Sequence, residues 1–180
     1  KKKEEKKKAK VITWSSVEKN NRIDLTMENS CACMDKHDSA GATVVSEEVF
    51  TKGTVKFNIT LTSGSALNKR SFMIGIIPED AKMPDLSTLG GHIGDETMGG
   101  YGLLIRRSRW LTYHDDKCDI ISAQGNDFEK LTIGVVLNLK YRTIDWFRDG
   151  VGGAPINGAS YGKLKGFMGF RAAATLWGGE

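Results

Sequence analysis

The chain has 180 residues, 39% hydrophobic and 27% charged, with a formal net charge of +4. That length fits one domain whose core can stand without disulfides or metal, and no apolar run approaches the roughly 20 residues needed to cross a bilayer. Residues 1–10, KKKEEKKKAK, hold seven lysines and two glutamates, so the other 170 residues carry −1 and are not built chiefly to grip a phosphate backbone.

Residues 1–10 read as a charged tail or linker, and residues 11–180 as one β domain. The tail has no apolar stretch behind it, so no signal peptide is read. A charged linker is the leading reading, and nucleic-acid contact is open only through this tail. Cys31, Cys33 and Cys118 are odd in number and irregular in spacing, which is no disulfide framework and points to a reducing compartment, cytoplasm or nucleus.

From residue 11 onward, period two dominates. VITW (11–14), RIDLTM (22–27), SCACM (30–34), TVKFNITLT (54–62), SFMIGII (71–77), YGLLI (101–105), RWLTYH (109–114), LTIGVVLNL (131–139), TIDWF (143–147), LKGFMGF (164–170) and ATLW (174–177) all read as strands. In TVKFNITLT, Val55, Phe57, Ile59 and Leu61 point one way and Lys56, Asn58, Thr60 and Thr62 the other. Asn58-Ile59-Thr60 is a glycosylation sequon inside that run and is taken as chance. In RTIDWFRDG (142–150), adjacent aromatics cannot share a face. Ile144 and Trp146 are expected inside with Val135 and Leu137, and Phe147 on the other face near Asp149-Gly150. Gly-rich turns separate the strands and no amphipathic helix lies between them, so the fold class is all-β, an antiparallel sandwich. Two long irregular segments stand out: 78–100, and DGVGGAPING at 149–158. Such loops are expected to cluster and carry function, and the two are expected to share one surface.

No catalytic constellation emerges. Neither a G-x-S-x-G nor an H-E-x-x-H motif occurs, and His114-Asp115-Asp116 reads as a strand end entering a polar turn. Cys31-Ala32-Cys33 followed by His37 invites zinc, but lacks the usual spacing and a second paired half; two small buried thiols are the expectation. The glycine pairs 90–91 and 99–100 are followed by no Gly-Lys-Ser/Thr and open no helix, so they read as turn glycines. YHDDKCD (113–119), the one acidic cluster suited to Ca²⁺, reads as a hairpin tip. Arg106, Arg107 and Arg109 beside Trp110 are either a solvated hairpin tip or a contact for an acidic ligand.

Four segments, in order, resemble the SPRY domain, the core of the B30.2 family: FMIGII (72–77), IGDETMGGYGLL (93–104), DFEKLTIGVVLNLKYRTIDWFRDG (127–150) and KLKGFMGFRAAATLW (163–177). The likeness covers about residues 50–178. Asn138, Asp149 and Met168 depart from the family pattern. The resemblance implies a bent, concanavalin A-like antiparallel sandwich. It also implies a non-catalytic module, with no cofactor, metal or small-molecule substrate, that docks a protein or peptide through loops at one end. In the family's peptide-binding branch, a loop aromatic and a nearby apolar residue grip the ligand. Leu89 and His92 stand in those places here, but their types do not match, so that specificity is not carried over. The candidate partner-binding residues are therefore Leu89, His92, Arg106, Arg107, Arg109, Trp110, Val151, Pro155 and Asn157. A permanent structural role in a large assembly is the second expectation.

Overall fold

A computed structural model describes residues 9–19, 23–34, 41–62, 71–81, 92–94, 98–106, 109–115, 117–121, 130–165 and 168–177. Among these residues the secondary structure is all strand: β1 (Trp14–Lys19), β2 (Ile23–Thr26), β3 (Cys31–Met34), β4 (Ala42–Ser46), β5 (Thr54–Thr62), β6 (Ser71–Pro78), β7 (Tyr101–Ile105), β8 (Trp110–His114), β9 (Lys117–Ile121), β10 (Lys130–Asn138), β11 (Thr143–Arg148), β12 (Ala154–Gly162) and β13 (Phe170–Trp177). A seven-stranded sheet runs β1-β4-β13-β6-β7-β8-β9, a four-stranded sheet runs β12-β11-β10-β5, and β2 and β3 pair with each other. The sheets form an antiparallel sandwich.

Alternation builds the core. In the small sheet Phe57, Ile133, Val135, Leu137, Ile144 and Trp146 are all turned inward and closed to solvent. The register sets Trp146 opposite Val135 and Ile144 opposite Leu137. From the large sheet Ile74, Ile76, Leu103, Phe170 and Ala172 meet them. The aromatic pair at 146–147 is thus divided between faces. Trp146 is core, and Phe147 lies on the outer face, paired with Gly134.

Gly134 has a specific reason to be glycine. A Cβ there would run into the backbone of Gly150 and Val151, because the β11–β12 turn folds back over the outer face of the small sheet. Asp149 (φ 64°) and Gly150 (φ 88°) make the reversal. The Asn58 side-chain oxygen then accepts the Val151 N–H at 2.8 Å.

Four expectations are corrected. Residues 149–158 are not one loop: the turn ends at Gly153, and Pro155 and Asn157 lie on β12, an edge strand. Proline suits that place because it has no N–H for an inner ladder. Of the expected strand at 164–170, only Phe170 belongs to one among the described residues. The first expected strand begins at Trp14 and runs on to Lys19, and β4 and β9 add to the expected set. The thiols are not buried: Cys33 is exposed and Cys31 half-buried.

Truncating Trp146 leaves a large hole in a close-packed interior, so Trp146→Ala should cost about 3–5 kcal/mol. Phe147→Ala should cost nearer about 1 kcal/mol. Urea midpoints of the two variants check the division of the pair.

Candidate interaction face

The outer face of the large sheet carries a second cluster: Val45, Met73, Ile77, Ile93, Met98, Leu104, Leu111 and Ala173 are buried there. The large sheet is therefore covered on both faces around β6–β8, by the small sheet inside and by Ile93 and Met98 outside. The cover depends on two glycines. Gly75 and Gly102 are direct cross-strand partners. A Cβ on Gly102 would lie 2.8 Å from Met73 Sδ and 3.1 Å from Ile93 Cγ2. The bare Gly102 leaves room for Ile93, which is fully buried, while the bare Gly75 lets the β7 backbone approach at Tyr101.

Seating Ile93 places its neighbour. His92 lies edge-on to Tyr113, with ring centroids 5.4 Å apart, and 6.1 Å from Trp177. Its Nδ1 is 3.2 Å from the Ile93 carbonyl oxygen. Gly94 (φ 89°) completes the turn, with its N–H donating to the Gly99 carbonyl at 2.6 Å. A Cβ at Gly94 would lie 2.9 Å from the Tyr113 backbone, and one at Gly41 would lie 2.6 Å from Trp177 Nε1. Two glycines thus let the cover approach β8 and let the indole lie flat on the chain. His92, Tyr113 and Trp177 are all half-buried, with ring surface left to solvent.

Arg106 and Arg109 flank this group. The Arg106 N–H donates to the Arg109 carbonyl at 3.1 Å, which closes the β7–β8 turn, and both side chains are exposed. Their charges reach Tyr113. Burial, with Cys118 adding to it, pushes that phenol up from its ordinary value, while the two guanidiniums pull the other way. Cys118 is cross-strand to Tyr113. Ile120, 70% exposed on edge strand β9, continues the same face beside Leu111.

The expected site residues divide as follows. His92, Arg106 and Arg109 come together around Tyr113. Leu89 and Arg107 lie outside the described residues. Trp110 is turned inward, 6% exposed, into the core with Ile105 and Ile121, because the alternation that puts Leu111 and Tyr113 outside puts Trp110 inside. Val151 lies over the outer face of the small sheet, on the far side of the sandwich. Pro155 and Asn157 lie along the β12 edge. Of the first irregular segment, the described residues 92–94 lie on the outer side of the large sheet, away from the turn at 149–153. Tyr113 and Trp177 were not among the expected residues. Both occupy the outward phase of strands already recognised, which was the available signal.

A different aromatic group joins the sheets from inside. Tyr161 sits 4.7 Å from His114, 5.4 Å from Tyr101 and 6.1 Å from Trp146, centroid to centroid. The Tyr101 hydroxyl accepts the Lys165 N–H at 2.9 Å. Lys165 also pairs with Asp115; its ammonium holds that carboxyl below the usual range. Where the charged tail meets the domain, the Lys10 N–H donates to the Lys56 carbonyl at 2.6 Å. Lys10 also pairs with Glu48, over a groove of about 340 Å³ that Lys52 and Lys56 help line. Among the described residues no three His, Cys, Asp or Glu side chains form a metal-holding group, and no helix is long and apolar enough to cross a membrane.

No protein-family model and no curated protein matches the sequence. Solved structures do match the fold. The PSpry domain of TRIM65 aligns with a TM-score of 0.65 at 14% identity, over 94% of this chain and 90% of that one. The SPRY domain of human HERC1 aligns with a TM-score of 0.55 at 12% identity, over 79% of each chain. The chain has the SPRY fold, as the four motifs imply. At these identities the likeness is one of architecture.

Two outcomes are expected. Gly102→Val should expel Ile93, costing about 1–3 kcal/mol, and should shift the His92 and Tyr113 ring resonances in NMR spectra. Burial pushes the Tyr161 phenol up to about 12 from an ordinary 10.0. The folded state thus holds this proton more tightly than the unfolded chain. Its contribution to stability is complete below pH 10.0 and lost as pH rises toward about 12. In an ultraviolet titration, Tyr161→Phe should remove a late-ionising phase.

Proposed function

We propose that this domain is a non-catalytic protein-interaction module and that its docking face is the outer surface of the large sheet around Tyr113. The observation that carries the reading is the half-open His92–Tyr113–Trp177 group between exposed Arg106 and Arg109. Aromatic and arginine side chains dominate the energetics of protein interfaces. They present large, stiff contact area at small entropic cost, and here the backbone beneath them is already fixed by buried Ile93. The guanidiniums favour a partner segment that carries carboxylates next to an apolar anchor. A working place inside the cell is part of the proposal, supported by three free cysteines, two of them exposed. A permanent place in a large assembly has less support. Among the described residues the exposed large apolar side chains Val11, Val17, Met27, Val49, Ile120, Tyr141 and Met168 are spread over several elements, whereas a permanent interface would present a broad apolar patch.

The test compares two double variants as bait for cellular proteins, each first shown to melt cooperatively. Tyr113→Ala/Trp177→Ala should lose every partner the parent domain captures, with affinity for a purified partner weakened by about 2 kcal/mol or more. Val151→Ala/Asn157→Ala, on the small sheet, should retain them. The reverse pattern would overturn the proposed face.

A further inference from the structure

Cys31 and Cys33 are two residues apart on β3, so both thiols leave the same face of the strand. Ala32 and Met34 point the other way, to the core, with Ile23 and Leu25 of β2. The thiols stand opposite Thr26 and Asp24 in register. Their Sγ atoms are 3.7 Å apart. The hairpin turn beside them holds Met27, Glu28 and Asn29 at φ 53°, 55° and 61°. The Asn29 carbonyl accepts the Trp14 N–H at 2.8 Å, which ties this small hairpin to the start of β1.

The separation of the sulfurs decides what they can do together. A disulfide needs sulfurs about 2.05 Å apart and Cα atoms within about 6.8 Å. Two steps of an extended strand already span about 6.6–6.8 Å, so closing the bond pulls the backbone to its limit. Two thiolates bonded to one soft centre at about 2.3 Å stand roughly 3.5–3.7 Å apart for bond angles from pyramidal to tetrahedral, close to the separation of this pair. The pair supplies two sulfurs on one face of the strand, which suits an acceptor that two thiolates satisfy.

We propose that Cys31 and Cys33 form a two-sulfur site for thiophilic centres that take two thiolates, of which trivalent organoarsenicals are the fitting class. In the binding step two arsenic–sulfur bonds form and the bonds from arsenic to oxygen break. The two thiol protons leave with that oxygen as water, and nothing is oxidised or reduced. Burial and the hydrogen bond with Cys31 push the Cys33 thiol up from its ordinary value. A reagent that needs a standing thiolate therefore meets a slow target at neutral pH. Cys118, exposed on another sheet, is a built-in single-thiol control.

The probe is phenylarsine oxide on the full chain, read by intact mass and by protection from maleimide. One arsenical per chain is expected, with Cys31 and Cys33 protected and Cys118 still labelled. A small dithiol should remove the arsenical, and excess monothiol should not. Cys31→Ser and Cys33→Ser, near-isosteric changes on an outward face, should each weaken binding at least about a hundredfold, because the second bond is then lost. Cys118→Ser should change nothing. The proposal is overturned if Cys118→Ser weakens binding equally, if monothiol strips the arsenical, or if oxidised glutathione readily converts the pair to an intrachain disulfide.

Discussion

The structure turns on the absence of side chains at Gly75 and Gly102. They are directly paired in the middle of the large sheet; Gly75 lets the β7 backbone approach, and Gly102 leaves room on the outer face. Ile93 fills that room, and Gly94 beside it lies against the Tyr113 backbone of β8. Everything proposed for this face follows from that attachment. Loop residues usually bind with an ordering cost, and the fully buried Ile93 lowers that cost for its neighbour His92.

Much of this architecture is legible in the sequence, for an identifiable reason. Where one face of a strand is wet, polarity alternates, and TVKFNITLT and LTIGVVLNL declare themselves. Where both faces are covered, as in β4 (ATVVS), all five residues are buried and no period is visible. Where neither face is well covered, as in β12 (APINGASYG), composition looks like a loop, and only pairing with β11 makes it a strand. β12 also changes register between its Ser160 and Pro155 pairings, which a sequence pattern cannot carry. Burial at each end of the range thus erases the signal that intermediate burial provides.

The site was legible to a lesser degree. Alternation assigns side chains to faces, but it does not say which outer face remains open. Trp110 and Trp177 are alike as residues at strand ends, yet one closes the core and the other lines the surface. The difference is set by strand phase against partners distant in sequence: Ile121 for Trp110 and Ser71 for Trp177. The cysteines show the same limit. Their common face followed from spacing, but its exposure followed from the β2–β3 hairpin pairing outside the two main sheets.

The small sheet has two free borders, and each is blunted differently. On one side Lys10 occupies part of the β5 border through a single parallel bridge to Phe57, with the lysine-rich run immediately before it. On the other, β12 opens with Pro155 and is kinked between its two stretches of pairing, where Gly158 (φ 81°) approaches Ile121. A straight, hydrogen-bond-hungry border is what lets β-proteins stack edge to edge into aggregates. Proline, a bulge and concentrated positive charge each spoil that template. Lys10 thus covers part of one border, and Pro155 with the register shift of β12 blunts the other.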